Sequence, residues 1–278
     1  MRSIKVFLSN SFVNDELSLK DKNIVIVDVL RATTTIGVAL ASGAKEIIPV
    51  DNVSTAARIA KGTGNSLLGG ERNGLKVNGF NLGNSPLEYT EDVVKEKSIV
   101  FSTTNGTTSI LKSKYATNCM LASFTNLKRT INELYNTEGD LMIICSGKSG
   151  DFALEDAVCA GEIITGLLVK DNNFIIGDPE IAVCSLAIHF LGKIPSSEKI
   201  MKMFSVSGSG KHLKELGLEK DLEFASKLNS NPVLPLYKNG VIKLKESFDE
   251  EAMQKAQMKK VNISKKEDEN SEKLQEDS

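Results

Sequence analysis

The sequence lacks any long apolar segment. Its 278 residues include no apolar run near 18 residues, the length that a membrane-spanning helix requires. Residues 1–5 also lack the long apolar stretch of a secretory signal. These absences predict a cytoplasmic protein without a membrane partner.

Histidine and cysteine are scarce as well. The chain has two histidines and four cysteines, and no two cysteines form a Cys-x-x-Cys pair. Zinc sites usually need such pairs or clustered histidines, so we expect no zinc site. Widely spaced cysteines without a pairing pattern are typical of reduced thiols in a cytoplasmic protein.

An excess of charge of one sign is also missing. The formal net charge is −2, and the last 34 residues, 245–278, hold seven lysines and ten acidic residues. We expect this charged segment to be a disordered tail, or a frayed helix at most. The remaining body has a net charge of +1 and no extended basic surface is implied, so we predict no nucleic-acid partner.

The sequence does contain a regular alternation of short apolar runs with helical patterns. Buried strands rich in β-branched residues are predicted at 24–29, 46–50, 65–68, 98–102, 119–122 and 140–145. Helical patterns separate most of these strands. The alternation indicates an α/β fold of three-layer α/β/α type, with largely parallel or mixed sheets covered by helices.

The pattern changes after residue 178. Four helices are predicted between 179 and 228, and an Asn-Gly pair between apolar residues predicts a β-hairpin over 236–244. A domain boundary near residue 125 fits the order of the elements, although no change in composition marks it.

Four polar loops follow predicted strands, which is where open α/β sheets bind their ligands. The first two loops place the carboxylates of Asp28 and Glu71 beside the guanidinium groups of Arg31 and Arg72. Carboxylates suit Mg²⁺, and arginine suits phosphate or carboxylate anions.

The other two loops have the composition of anion cradles. Residues 103–108 combine hydroxyl groups and a glycine at the start of a predicted helix, where free N–H groups and the helix dipole favour negative charge. Residues 146–151 are glycine-rich, precede another helix and include Lys148. Together the four loops predict an Mg²⁺-assisted site for a small phosphorylated anion.

Each feature also has a structural interpretation. Asp28 can simply cap the helix that follows it, and a threonine-rich helix start is a common cap. Glu88 belongs to a capping box at residues 85–88 and is expected to be structural. His212 follows a Ser/Gly-rich segment that either binds an anion or provides a flexible turn.

Several familiar catalytic and nucleotide-binding motifs fail at single positions. Residues 147–149 end like a Walker motif, but Met142 stands where its first glycine is required. Leu30 replaces the second aspartate of a haloacid-dehalogenase motif. A cysteine-phosphatase loop at Cys145 would need arginine where Asp151 stands. The sequence therefore disfavours these common catalytic motifs of hydrolases.

As a set, the loop segments resemble a known family. They are residues 27–34, 70–72, 79–86, 103–107, 145–147, 155–161, 207–213 and 233–235. This series resembles the motifs of the 2-phosphosulfolactate phosphatase family, in chain order and over about residues 1–244. The tail is not part of the resemblance.

The resemblance implies an Mg²⁺-dependent phosphatase that hydrolyses the phosphate monoester of 2-phospho-3-sulfolactate, on the route to coenzyme M. It also implies two α/β/α domains, which we place at 1–125 and 126–244, with the active site in the cleft between them. The partner would be a small phosphorylated, sulfonated or carboxylated acid. A homodimer is common for enzymes of this size, although the sequence does not determine it.

Two alternatives stay open. One is a phosphatase with the same chemistry that acts on another 2-hydroxy acid phosphate. The other is a non-catalytic sensor that binds a small phosphorylated anion. Release of inorganic phosphate, or its absence, distinguishes an enzyme from a sensor.

On the phosphatase hypothesis, Asp28, Glu71 and Asp156 hold Mg²⁺, which polarises the phosphoryl group. The nucleophile is a water molecule, Asp28 itself through an acyl phosphate, or Cys145. Cys145 is the weaker candidate because its loop lacks the arginine that usually accompanies a catalytic cysteine.

Substrate anions would be neutralised by Arg31 and Arg72, which together with Asp28, Glu71 and Cys145 form the predicted catalytic set. Backbone and side-chain groups of the loops would contact the substrate. These residues are Thr33, Asn84, Ser85, Thr103, Thr104, Asn105, Gly106, Thr107, Gly147, Lys148, Ser207, Gly208, Lys211 and His212.

Overall fold

The predicted α/β architecture is confirmed by the computed structural model, which describes residues 1–254. Residues 1–243 form one compact unit, and a second unit begins at Leu244. Of the predicted tail, residues 245–254 are helical, and 255–278 lie outside the described residues.

A single mixed sheet contains the strands of the described residues. They are β1 (Arg2–Phe7), β2 (Asn23–Val27), β3 (Glu46–Pro49), β4 (Ser66–Arg72), β5 (Leu75–Lys76), β6 (Ser98–Ser102), β7 (Asn118–Ala122), β8 (Leu141–Cys145), β9 (Phe174–Ile175), β10 (Pro235–Lys238) and β11 (Val241–Leu244). Their order across the sheet is β5-β4-β6-β3-β11-β10-β7-β2-β8-β1-β9.

Helices connect and cover these strands. They are α1 (Ala32–Ala41), α2 (Val53–Thr63), α3 (Glu91–Val94), α4 (Gly106–Lys112), α5 (Leu127–Asn136), α6 (Leu154–Lys170), α7 (Asp178–Leu191), α8 (Ser197–Val206), α9 (Gly208–Glu215) and α10 (Glu219–Ala225). Within the described chain, no helix combines the length and apolar character needed to cross a bilayer.

The sheet consists of two parallel sets of strands. β7, β2, β8, β1 and β9 pair in parallel on one side, and β4, β6 and β3 pair in parallel on the other. The β10–β11 hairpin lies between the sets, because β10 pairs antiparallel with β7 and β11 pairs antiparallel with β3. The hairpin predicted from its Asn-Gly turn therefore joins the two halves of the sheet.

The sheet does not confirm the expected two-domain arrangement. A division at residue 125 would separate β2 from its hydrogen-bonded neighbour β8. Strand β1, which sequence reasoning missed, also pairs with β8 and so ties the first residues to the second half of the chain. Only Ile4 and Val6 of β1 are fully buried, and this short alternation between charged neighbours is a weak strand signal.

Complete burial explains why the sequences of the central strands are continuous apolar runs. All five residues of β2 and all five of β6 are buried, as expected for parallel strands covered on both faces. Surface helices show the opposite pattern: α5 buries Leu127, Thr130 and Leu134, spaced three and four residues apart, and exposes polar residues between them.

The longest helix packs closely against its neighbour. Gly161 of α6 faces the backbone of α7, and a Cβ atom built on it would lie 2.1 Å from the carbonyl oxygen of Val183 and 2.9 Å from Cβ of Ala187. Glycine is therefore needed here for close approach of two backbones. By contrast, a Cβ on Gly62 of α2 would meet no atom within 4 Å.

Replacing Gly161 by alanine should lower the free energy of unfolding by about 2 kcal/mol or more, because α7 must move away from α6. The matched replacement Gly62→Ala should raise it by roughly 0.5–1 kcal/mol, since alanine restricts the unfolded chain and favours helix. Urea denaturation of both variants measures the two effects. Equal stabilisation by both substitutions would contradict the close packing of α6 against α7.

Candidate active site

Loops from both sets of strands converge on one cavity of about 320 Å³. The loops after β2, β4, β6 and β8 line it, and α9 closes one side. The predicted site residues that line the cavity are Asp28, Arg31, Glu71, Asn84, Thr103, Thr104, Asn105, Gly147, Lys148 and His212. Sequence reasoning thus located the cavity, although it missed further lining residues such as Asn73 and Ser209.

Asp28 stands at the end of the fully buried strand β2. Its Oδ1 accepts a hydrogen bond from the backbone N–H of Ala32 at 3.0 Å, which caps the first turn of α1. Its Oδ2 makes no hydrogen bond within residues 1–254. A Cβ atom on Gly106 would lie 2.6 Å from this Oδ2, so the glycine leaves room for the loop after β6 to approach the carboxylate. Asp28 is therefore both a helix cap and a carboxylate available to the cavity.

The surroundings of Asp28 favour its protonated form. Burial raises the pKa of Asp28 from 3.8 to about 7, and the nearby Glu71 and Glu155 carboxylates contribute to this rise. The Ala32 N–H and the Arg31 guanidinium oppose it. A group that brings positive charge to the cavity would relieve this repulsion and favour the ionised carboxylate.

Glu71 connects two loops. Its Oε1 accepts from the backbone N–H of Thr104 at 2.8 Å, and its Oε2 accepts from the backbone N–H of Gly74 at 2.7 Å. The Glu71 side chain is buried, so these two bonds compensate much of the cost of removing its charge from water. Both oxygens keep further lone pairs for a ligand.

Arg31 is the buried cation of the cavity wall. Its Nη1 forms an ion pair with Oδ2 of Asp221 at 2.7 Å, and its Nη2 donates to the carbonyl oxygen of Gly74 at 2.6 Å. The other oxygen of Asp221 accepts from the hydroxyl of Ser85 at 2.6 Å. Sequence reasoning missed Asp221, because one acidic residue in a charged helical segment carries no recognisable signal.

The loop after β6 uses its own hydroxyl groups to fix its shape. The N–H of Thr107 donates to Oγ1 of Thr103, and the N–H of Thr103 donates to Oγ1 of Thr107, both at 3.1 Å. Oδ1 of Asn105 accepts from the N–H of Ser149 at 3.1 Å, which ties this loop to the loop after β8. Several N–H and hydroxyl groups of the predicted anion-binding loop therefore bond to other groups of the protein. Thr107 itself does not line the cavity.

Asn84 lines the same cavity with an unsatisfied polar group. Its Oδ1 is buried and has no hydrogen-bond partner among the described residues. Buried side-chain oxygens are normally paired, so an unpaired one beside a cavity indicates a position for a ligand or an ion. Sequence reasoning included Asn84 both in the polar loop that follows the predicted strand 65–68 and in the family resemblance.

Two polar contacts attach α9 to the cavity. Nζ of Lys148 donates to the carbonyl oxygen of Gly208 at 3.2 Å, and Nε2 of His212 lies 3.2 Å from the carbonyl oxygen of Asn73. Lys148 and His212, which are 64 residues apart in the sequence, therefore lie on the same wall of the cavity. Lys211 does not line the cavity.

Three residues of the predicted catalytic and metal-binding set lie off the cavity. The guanidinium of Arg72 donates to the carbonyl oxygens of Glu71 and Ser102 and so holds the backbone. Asp156 accepts at both oxygens, from the N–H groups of Val29 and Gly147. These bonds show Arg72 and Asp156 holding the loops in place, and the direct roles predicted for them in catalysis and metal binding stay predictions.

Cys145 is the third of these residues. Its thiol is fully buried at the end of β8, and burial raises its pKa well above the ordinary value, as do nearby acidic groups. A thiol that is neither exposed nor ionised is inert as a nucleophile. The structure therefore gives Cys145 a packing role.

The remaining predicted contact residues also form the framework of the site. The hydroxyl groups of Thr33, Ser85 and Ser207 are hydrogen-bonded within the protein. Gly106 gives Asp28 room, and Gly208 presents its carbonyl oxygen to Lys148. These residues hold the cavity walls without lining the cavity.

The cavity offers oxygen donors that fit Mg²⁺. Among the described residues, no group of three acidic, histidine or cysteine side chains could hold a metal ion. Mg²⁺ needs fewer, because it usually keeps several waters and takes one or two carboxylates. Asp28 and Glu71 supply the carboxylates, and the unpaired Oδ1 of Asn84 supplies a neutral oxygen. These three cavity-lining residues have the oxygen chemistry that Mg²⁺ prefers, and Asp156 as a ligand stays a prediction.

Comparison with known proteins gives one consistent result. Residues 8–240 match the family model for 2-phosphosulpholactate phosphatase. A protein of Clostridium tetani named probable 2-phosphosulfolactate phosphatase is 35% identical over 245 residues, which cover 87% of this chain and 100% of the relative. A relative with the same name from Clostridium novyi is 37% identical, over 84% of this chain and 95% of its own length. Another, from Clostridium perfringens strain 13, is 38% identical, over 88% of this chain and 97% of its own length.

The raised pKa of Asp28 predicts how stability depends on pH when EDTA removes metal ions. The unfolded carboxyl loses its proton near pH 3.8 and the folded one near 7, so folding stability falls as pH rises between these values. Asp28→Asn should remove this loss and be the more stable protein at pH 8, by up to about 4 kcal/mol. The difference should shrink towards pH 4.

Denaturant unfolding at pH 4, 6 and 8 measures the effect. Asp140→Asn, which alters an aspartate whose pKa is lowered by hydrogen bonds from Ser3, is the matched control. Its relative stability should change with pH in the opposite direction. A pH-independent difference between wild type and Asp28→Asn would contradict the burial of an ionisable Asp28.

Proposed function

The chain belongs to the 2-phosphosulfolactate phosphatase family of phosphoric monoester hydrolases, and we propose that it hydrolyses 2-phospho-3-sulfolactate to sulfolactate and inorganic phosphate with Mg²⁺. One observation carries this proposal. Of the two carboxylates that line the cavity, Asp28 retains an oxygen without a hydrogen bond within residues 1–254, and Arg31 and Asn84, whose Oδ1 is unpaired, line the same cavity. A carboxylate, a cation and an open polar group are what phosphoryl transfer requires at one place.

The cavity suits a small acid with several negative charges. Its volume of about 320 Å³ is at the lower end of the range for ligand pockets. Arg31 and Lys148 bring positive charge from different loops, so a phosphate and a second anionic group can be bound at the same time. A phosphorylated acid that also carries carboxylate and sulfonate groups matches this arrangement.

The chain's own residues have separate tasks in the reaction. Arg31 and Lys148 bind and orient the substrate anions, and the loops after β6 and β8 form walls that limit the access of water. Bound Mg²⁺, held by Asp28, Glu71 and Asn84, would supply charge neutralisation at the phosphoryl oxygens.

Asp28 is the residue placed to act on the phosphoryl group. Either its Oδ2 attacks phosphorus, releases the sulfolactate alkoxide and leaves an acyl phosphate that water then hydrolyses, or it accepts a proton from the attacking water. Trapping with hydroxylamine during turnover distinguishes the two routes, because only the acyl phosphate yields a hydroxamate at residue 28.

The proposal includes the route to coenzyme M, in which sulfolactate is the product of this step. The alternative phosphatase, for another 2-hydroxy acid phosphate, differs in needing no sulfonate. Comparing kcat/KM for 2-phospho-3-sulfolactate and for 2-phospholactate decides between them, because our proposal requires a clear preference for the sulfonate. Ligand-induced thermal stabilisation without phosphate release would instead favour the sensor. A homodimer and a cytoplasmic location stay predictions.

Asp28→Asn should reduce kcat for phosphate release by about 10³-fold or more, because the neutral amide neither attacks phosphorus nor accepts a proton. Mg²⁺-dependent release of inorganic phosphate, measured with and without EDTA, checks this result. Asp140→Asn should retain the wild-type rate. Turnover near the wild-type rate in Asp28→Asn would remove Asp28 from the mechanism.

Cys145→Ala should retain kcat and KM within about twofold, since the thiol is buried away from the cavity. Alanine is preferred to serine here because it leaves no unpaired hydroxyl in the core. The same phosphate-release assay measures both constants. A loss as large as that of Asp28→Asn, in a variant with a normal unfolding transition, would restore Cys145 as the nucleophile.

A further inference from the structure

The hydrogen bonds of Arg31 leave part of its guanidinium unused. The side chain has five N–H donors, and within residues 1–254 one bond goes to Asp221 and one to the carbonyl oxygen of Gly74. Arg31 is only 4% exposed, yet it lines the cavity. Buried donors are normally paired, so the remaining N–H groups are suited to an anion bound in the cavity.

Asp221 is fixed on both sides. One of its oxygens lies 2.7 Å from Nη1 of Arg31, and the other accepts from the hydroxyl of Ser85 at 2.6 Å. Asp221 is 2% exposed and does not line the cavity, so it does not contact a ligand itself. The guanidinium therefore meets a carboxylate that is held in place, and it cannot turn without breaking this pair.

Arg31 also has a competing partner. Asp28 and Arg31 carry opposite charges and line the same cavity. A direct ion pair between them would occupy the guanidinium that is to bind the substrate, and it would also occupy the open oxygen of Asp28. Among the described residues the guanidinium pairs with Asp221 and bonds to Gly74 instead, and it forms no ion pair with Asp28.

We propose that Asp221 is a positioning residue that holds Arg31 on the cavity wall, so that its free N–H groups bind a substrate anion and Asp28 stays unpaired. This inference rests on the proposed function. It assigns to α10 a part in substrate binding, although α10 contributes no residue to the cavity lining. Loss of Asp221 should change KM more than kcat, because a cation that orients the substrate stabilises the bound substrate and the transition state alike.

Asp221→Asn tests the proposal with a side chain of the same size and no charge. KM for 2-phospho-3-sulfolactate should rise at least about tenfold while kcat falls less than about threefold. The dissociation constant for inorganic phosphate, measured by calorimetry, should rise by a similar factor. Asp140→Asn is the matched control and should change neither value.

A double-mutant cycle separates positioning from a structural tie between α10 and the loop after β2. If Asp221 acts through Arg31, Asp221→Asn should add little to the KM increase of Arg31→Lys. Asp221→Glu keeps the negative charge, and it tests the proposal if the Asp221→Asn protein does not fold. Its longer side chain should displace the guanidinium and raise KM while the melting temperature stays near wild type.

A direct view of Arg31 completes the test. The chain has five arginines, so the Nε–H signal of Arg31 can be assigned in ¹⁵N spectra. It should be sharp in wild type and broadened in Asp221→Asn. An unchanged signal overturns the proposal, as does a melting temperature lowered with KM and phosphate affinity within twofold of wild type.

The outcomes also separate the two proposals. Hydrolysis by wild type with an unaffected Asp221→Asn overturns the positioning role and leaves the function standing. Phosphate binding that depends on Asp221, in a protein that releases no phosphate from its substrates, supports the positioning role and overturns the function.

Discussion

The site depends on buried carboxylates that are compensated by backbone N–H groups from different loops. Glu71 accepts from Gly74 and Thr104, and Asp156 accepts from Val29 and Gly147. An unpaired buried carboxylate is strongly unfavourable, so each of these groups forces two segments of chain to meet. The cavity has its shape because the loops must come together to satisfy these side chains.

This constraint divides the charged residues of the site into two kinds. Both oxygens of Asp156 and of Asp221, and both terminal nitrogens of Arg72, bond to protein groups, so these residues hold the walls. Asp28 and Asn84 each keep an oxygen without a partner in the described chain and are available for chemistry. The family's loop motifs contain both kinds, which is why a motif alone cannot assign roles to its members.

The sequence was informative about local structure and about the location of the site. Apolar runs predicted the buried strands, and polar residues at their ends predicted the cavity, because both follow from short-range patterns. It could not show that Arg72 turns towards carbonyl oxygens or that Cys145 is sealed in the core, since these depend on packing between distant segments. Asp221 was missed for the same reason, as its partner lies 190 positions away.

The central place of the β10–β11 hairpin has a consequence for how the chain folds. Strands β3 and β7 each keep an open edge until the hairpin, which follows both in the sequence, pairs with them. Until the hairpin pairs with them, these two edges can pair with strands of other molecules. Formation of the hairpin therefore closes the two edges at which partly folded chains would associate.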